Sequence, residues 1–121
     1  MISFLFSNLD KPQPPSNVQA KDVYADNCVL TWSPPDSDGG CPILDYIVEK
    51  CDATTEIWER VPTVVTGTSC PIKGLTEGKR YRFRVSAVNT MGPSEPAETN
   101  TAITAKNPFG KFKHFYLLSN I

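Results

Sequence analysis

The chain has 121 residues, 40% of them hydrophobic and 21% charged, and its formal net charge is −1. This length suits one folded domain with a single core, and the composition is that of a globular protein. The nearly neutral charge gives no reason to expect nucleic acid or an anionic membrane as partner, and no apolar run is long enough for a membrane-spanning helix.

In chain order, the sequence predicts short strands separated by turns. Proline-rich residues 10–15 predict an extended spacer, because proline fixes φ and disfavours a helix at the preceding residue. Residues 33–43 combine Pro34-Pro35 with Gly39-Gly40, which predicts a sharp corner between two strands rather than a binding site. No stretch has the 3.6-residue apolar periodicity of a helix. The predicted strands are residues 17–24, 28–32, 45–50, 57–61, 68–73, 81–87 and 99–105.

Alternation within these strands assigns an inward face. The clearest case is residues 81–87, where every second residue is apolar and the intervening Arg82, Arg84 and Ser86 are predicted to lie on the outer face. Trp32 is the largest inward side chain and is expected to fill the centre of the core. The predicted core consists of Leu30, Trp32, Tyr46, Val48, Ile72, Leu75, Tyr81, Phe83 and Val85.

Strands spaced at intervals of about ten residues predict an all-β fold, a seven-stranded antiparallel β-sandwich with Greek-key connections and immunoglobulin-like architecture. A true immunoglobulin domain would carry cysteines on its second and sixth strands and a tryptophan on the third. Here Cys28 lies on the second strand, but the sixth strand has no cysteine and Trp32 shares the strand of Cys28. The immunoglobulin pattern is therefore not met.

The positions of Trp32, Tyr46, Leu75 and Tyr81 resemble those of a fibronectin type III module, over residues 11–108. This resemblance implies a tyrosine corner, in which the phenol of Tyr81 bonds to backbone near Leu75. Further stretches resemble modules of the giant muscle proteins titin, twitchin and projectin. In chain order they are WSPP, DGG-x-PI, Y-x-VEK, WERV, FRV-x-A-x-N-x-x-G and AKNPF.

The two ends do not resemble the module. We predict a module at residues 10–108, a non-modular flank at residues 1–9, and a flexible non-modular tail at residues 109–121. The alternative for the tail is a sticky patch that binds a partner. It would consist of Phe112, Phe115, Tyr116, Leu117 and Leu118.

The sequence offers no catalytic or cofactor-binding constellation. The single histidine, His114, lies in the tail, so no Ser-His or Cys-His pair is expected within the module. Asp36-x-Asp38-Gly39 begins like a calcium loop, but the glycine comes too early and Ile47 stands where the loop needs its last acidic ligand. We therefore expect no enzyme activity, metal, cofactor or small-molecule substrate.

Outward-facing arginines form the one candidate surface. Arg80, Arg82 and Arg84 share one face of their strand, with Glu49 and Asp45 expected on the neighbouring strand. One interpretation is simple cross-strand ion pairing, with Trp58 flat against an arginine. The other is a ridge that binds an acidic partner, consisting of Arg80, Arg82, Arg84, Glu49 and Trp58.

The four cysteines are expected to be free thiols, because none forms a C-x-x-C pair. Cys28 and Cys70 are predicted to face inward as small hydrophobic residues, with a redox switch as the alternative. Cys41 and Cys51 are predicted nearer the surface.

The resemblance implies a non-catalytic structural and protein-binding unit of a titin- or twitchin-like protein, contributing to thick-filament organisation and elasticity. Implied partners are neighbouring immunoglobulin and fibronectin modules and the myosin thick filament, and the implied location is the cytoplasm, in the A-band of the sarcomere. The alternative is an extracellular recognition module of an adhesion protein or receptor. The predicted module has no N-x-[ST] glycosylation site, which argues mildly against that alternative.

Overall fold

The computed structural model describes residues 8–108, and within this range all regular secondary structure is β-strand. The strands are β1 Ser16–Lys21, β2 Asn27–Ser33, β3 Asp45–Asp52, β4 Trp58–Arg60, β5 Ser69–Lys73, β6 Arg80–Asn89, β7 Gly92–Pro93, β8 Ala97–Glu98 and β9 Ile103–Thr104. One sheet has the order β1-β2-β5, and the other has the order β4-β3-β6, with β7, β8 and β9 pairing with β6. Every one of these pairings is antiparallel. The predicted antiparallel sandwich is therefore confirmed.

No stretch of residues 8–108 is a helix with the length and apolar character needed to cross a membrane.

The last strand differs from its prediction. Instead of one strand over residues 99–105, three two-residue strands follow β6. Side-chain hydroxyls interrupt the ladder: Ser94 Oγ accepts the Ala87 N–H at 2.9 Å, and Thr99 Oγ1 accepts the Phe83 N–H at 3.4 Å. Because a hydroxyl replaces a backbone carbonyl at these points, the pairing breaks into pieces.

The core lies between the two sheets. Phe83, Leu30 and Ile72 are fully enclosed there, and Trp32 packs edge-on against Tyr46 with ring centroids 5.2 Å apart. Tyr46 is only partly buried, at the rim of the core, whereas the other residues of the predicted core are buried.

Tyr81 connects the start of β6 to the turn that precedes it. Its phenol oxygen accepts the Thr76 N–H at 2.8 Å, and its ring stacks on Phe83 with centroids 6.4 Å apart. Leu75, beside Thr76, is buried and its N–H donates to Asp26 O at 3.0 Å. The hydrogen bond therefore fixes the turn against the core.

Tyr81→Phe removes only this hydrogen bond and is expected to lower the free energy of unfolding by about 1 kcal/mol. The loss is modest because water can reach the exposed Thr76 once the phenol is gone. Urea denaturation measures it, with Tyr24→Phe at an exposed position as the matched control. Equal stability of the two variants would show that the Tyr81 bond contributes nothing.

All four cysteines are free and buried, which corrects the prediction for two of them. Cys28 and Cys70 lie in the core, on the neighbouring strands β2 and β5. Cys41 and Cys51 were expected nearer the surface, yet they are 7% and 0% exposed.

Burial, with a smaller contribution from the neighbouring Cys70, raises the pKa of the Cys28 thiol to about 11. Between pH 9 and about 11 the unfolded chain loses this proton while the folded chain keeps it, so stability falls as pH rises. Denaturant titrations at pH 7, 9 and 10.5 should show that decline. Cys28→Ala should show a shallower decline than the unsubstituted chain, and identical slopes would contradict the assignment.

Candidate functional surface

The candidate surface is the outer face of the second sheet. Arg80, Arg82 and Arg84 alternate along β6 and therefore share that face. Strand β3 separates β6 from β4, which carries Trp58. The predicted residues are thus brought together on three adjacent strands.

Trp58 lies against two of the arginines. The guanidinium carbon of Arg84 is 4.2 Å from the Trp58 ring centroid, and that of Arg82 is 5.5 Å from it. Each such cation–π contact contributes about 0.5–1 kcal/mol at a partly exposed site. The predicted stacking of Trp58 on an arginine is present and involves two of them.

Acidic side chains pair with the same two arginines. Arg84 binds Glu49 with two hydrogen bonds, Nε to Oε1 at 2.9 Å and Nη2 to Oε2 at 3.3 Å. Arg82 donates to Glu98 Oε2 and lies 4.0 Å from Glu56 Oε1. The bond to Glu98 raises the pKa of Arg82, so its charge is retained. These ion pairs neutralise the charges of Arg82 and Arg84 at the centre of the surface.

The expected pairing with Asp45 is wrong. Asp45 stands opposite Val88, four residues beyond Arg84 on β6, and its Oδ1 accepts the N–H of Tyr46 at 2.7 Å. The second acid instead comes from β8, where Glu98 lies directly opposite Arg84 and reaches Arg82. The sequence pattern could not locate Glu98, because β8 was not predicted as a strand.

Arg80 differs from the other two arginines. It is exposed, stands opposite Thr104, and forms no ion pair with any residue in the range 8–108. Arg60, at the other edge of the sheet, is also exposed and also lacks an ion pair within that range. Among the described residues, the two arginines of this face without an acidic partner, Arg60 and Arg80, therefore lie at its edges.

Cys51 lies next to Trp58 and Arg82 on the same face of the sheet. It stands opposite Trp58 on one side and opposite Arg82 on the other, and residues opposed in antiparallel strands share a face. Cys51 is completely enclosed, and Trp58 and Arg82 are its cross-strand neighbours on that face. This cluster of Cys51, Trp58 and Arg82 was not predicted. The alternation Glu49-Lys50-Cys51, together with Trp58 on the next strand, is the signal that could have revealed it.

The acidic and thiol side chains of this surface are already engaged or enclosed. Glu49 and Glu98 are both engaged with arginines, and Cys51 is inaccessible. Within the described range, no group of three or more His, Cys, Asp or Glu side chains is placed to hold a metal ion.

The family model of the fibronectin type III domain matches residues 13–100. The chain belongs to the fibronectin type III family. Chicken cardiac-type myosin-binding protein C is 42% identical to this fibronectin type III chain over 107 residues, 88% of the chain. Drosophila titin is 37% identical over 81% of the chain, and human myomesin-2 is 35% identical over 80%.

Solved structures of the family agree with this sandwich. Titin domains A168–A170 superpose with a TM-score of 0.76 at 40% identity, covering 81% of this chain and 33% of that one. The twitchin kinase region of C. elegans gives a TM-score of 0.74 at 31% identity, covering 80% and 17%. The fibronectin type III chain spans only 8% of the chicken protein, under 1% of Drosophila titin and 7% of myomesin-2.

Proposed function

We propose that this fibronectin type III module is a non-catalytic structural and protein-binding unit of a sarcomeric protein, with residues 10–108 as the module. The observation that supports this most strongly is the set of relatives at 35–42% identity, which are named as titin, myomesin-2 and myosin-binding protein C. Its role is then to space and hold neighbouring modules in the thick-filament region of the A-band, in the cytoplasm, with myosin as a partner.

The extracellular alternative has weaker support. The four free, buried cysteines are those expected of a reducing compartment rather than a disulfide framework.

We further propose that the partner surface is the ridge of Arg80, Arg82, Arg84, Glu49 and Trp58. Because Arg82 and Arg84 are held by Glu98 and Glu49, they act as its rigid frame. Arg80, which forms no ion pair among the described residues, supplies the positive charge that an acidic partner would meet. The apolar tail patch predicted at residues 112–118 lies outside the described residues and stays a prediction.

Co-sedimentation with synthetic myosin filaments tests both the proposed myosin partner and the proposed binding ridge. The full chain should pellet with the filaments in a saturable manner. Arg80→Glu should weaken this binding roughly tenfold, because it reverses an unpaired charge at the contact. Its melting temperature should barely change, since the Arg80 side chain has no ion pair to lose among residues 8–108.

Lys21→Glu is the matched control, because Lys21 is exposed on β1, in the other sheet. Equal binding by Arg80→Glu and Lys21→Glu would exclude the ridge but leave the function intact. Absence of saturable pelleting by the unsubstituted chain would contradict the proposed myosin partner.

A further inference from the structure

Residues 8–13 precede the first strand and lie across two loops of the sandwich. We name them the N-terminal connector. The Asp10 N–H donates to Gly39 O at 2.9 Å, and the Gln13 N–H donates to Ser37 O at 3.0 Å. Pro12 is buried between these two bonds. The connector is therefore hydrogen-bonded to the loop between β2 and β3, although it belongs to neither sheet.

The side chain of Asn89 ties the connector to the end of β6. This amide is 97% buried, with Nδ2 donating to Asp10 O at 2.8 Å and to Asp38 O at 2.7 Å. Its Oδ1 accepts the Met91 N–H at 2.8 Å. Both amide hydrogens and the amide oxygen are thus used, and one side chain joins three segments that are distant in sequence.

Two glycines allow the close approach of the connector. A Cβ atom at Gly39 would lie 2.2 Å from Asp10 O and 2.7 Å from Lys11 O, distances that no side chain can adopt. A Cβ at Gly92 would lie 3.2 Å from the Lys11 side chain. The glycines of these loops therefore serve more than the turn itself, since they leave room for the connector.

We propose that Asn89 and Gly39 form a clamp that makes the N-terminal connector a rigid part of the module. This inference builds on the proposed function, because a rigid connector would transmit force between neighbouring modules of a tandem array. Tension applied at the N-terminus then reaches β6, the strand that pairs with β3, β7, β8 and β9, through Asn89. Within the described range, strand β1 pairs with β2 alone and has an irregular register between Ser16 and Gln19. The clamp would therefore carry part of the tension before it reaches β1.

Amide hydrogen exchange measured by NMR on the full chain tests the clamp. The Asp10 and Gln13 amides should be protected in the unsubstituted chain. Asn89→Ala should accelerate exchange at Asp10 by roughly tenfold or more while the β2 and β3 amides stay protected. Asn100→Ala, at an exposed position, is the control and should change neither.

A second pair of variants keeps the test decisive if Asn89→Ala fails to fold. Gly39 has φ +78° and Gly74 has φ +74°, but only Gly39 has a neighbour where a Cβ would stand. Gly39→Ala and Gly74→Ala therefore impose similar backbone strain, and only the first should release Asp10. Unprotected Asp10 and Gln13 in the unsubstituted chain, or equal exchange in both alanine variants, would overturn the clamp. Neither measurement involves a partner, so loss of myosin binding would leave this result unaffected.

Discussion

Phe83→Ala is expected to lower the free energy of unfolding by about 3–5 kcal/mol, the range for removing a buried aromatic ring. Phe83 is completely enclosed and stacks on Tyr81, so the cavity left behind adds to the lost burial. Since a domain of this size is stable by about 5–15 kcal/mol, this loss is a large fraction of the total stability. Guanidinium denaturation followed by tryptophan fluorescence measures the loss.

Val64→Ala provides the control for that measurement. Val64 is 80% exposed, so its truncation should change stability by no more than about 0.5 kcal/mol. A Phe83→Ala variant as stable as Val64→Ala would show that Phe83 is not at the centre of the core.

Trp58→Ala is expected to cost about 2–3 kcal/mol and to expose a hidden thiol. It removes two cation–π contacts and the cover over Cys51. In the folded variant, Cys51 should react with a thiol reagent much faster than in the unsubstituted chain. Mass spectrometry of the labelled protein identifies which cysteine has reacted.

Ile57→Ala is the matched control for Trp58, because Ile57 is its chain neighbour and is 68% exposed. This variant should leave the thiol protected. If Cys51 stays equally unreactive after Trp58→Ala, the tryptophan does not shield this thiol from solvent.

The sandwich was predictable because its signal is local. Period-two alternation in residues 81–87 depends only on which face of a strand meets the core, and β6 follows it except at Ser86, which was predicted outside and is buried. The last strand was not predictable, because the hydroxyls of Ser94 and Thr99 compete with backbone acceptors. Such competition depends on side-chain geometry that a pattern of polar and apolar residues does not contain.

The candidate surface was predictable in part for a similar reason. The shared face of Arg82 and Arg84 follows from spacing, and the contact with Trp58 follows from strand adjacency. The partner Glu98 depends on where β8 pairs, and the enclosure of Cys51 depends on the register between β3 and β4. Registers between strands distant in sequence are tertiary information, which one sequence does not display.

The proposed role as a sarcomeric module is tested most directly by the position of the chain in a myofibril. A fluorescent fusion of the full chain, expressed in cultured striated muscle cells, should form stripes that coincide with the myosin-containing A-band. Arg80→Glu should weaken these stripes, whereas Lys21→Glu should not. Diffuse fluorescence throughout the cytoplasm would contradict the proposed role, and so would accumulation at the cell surface.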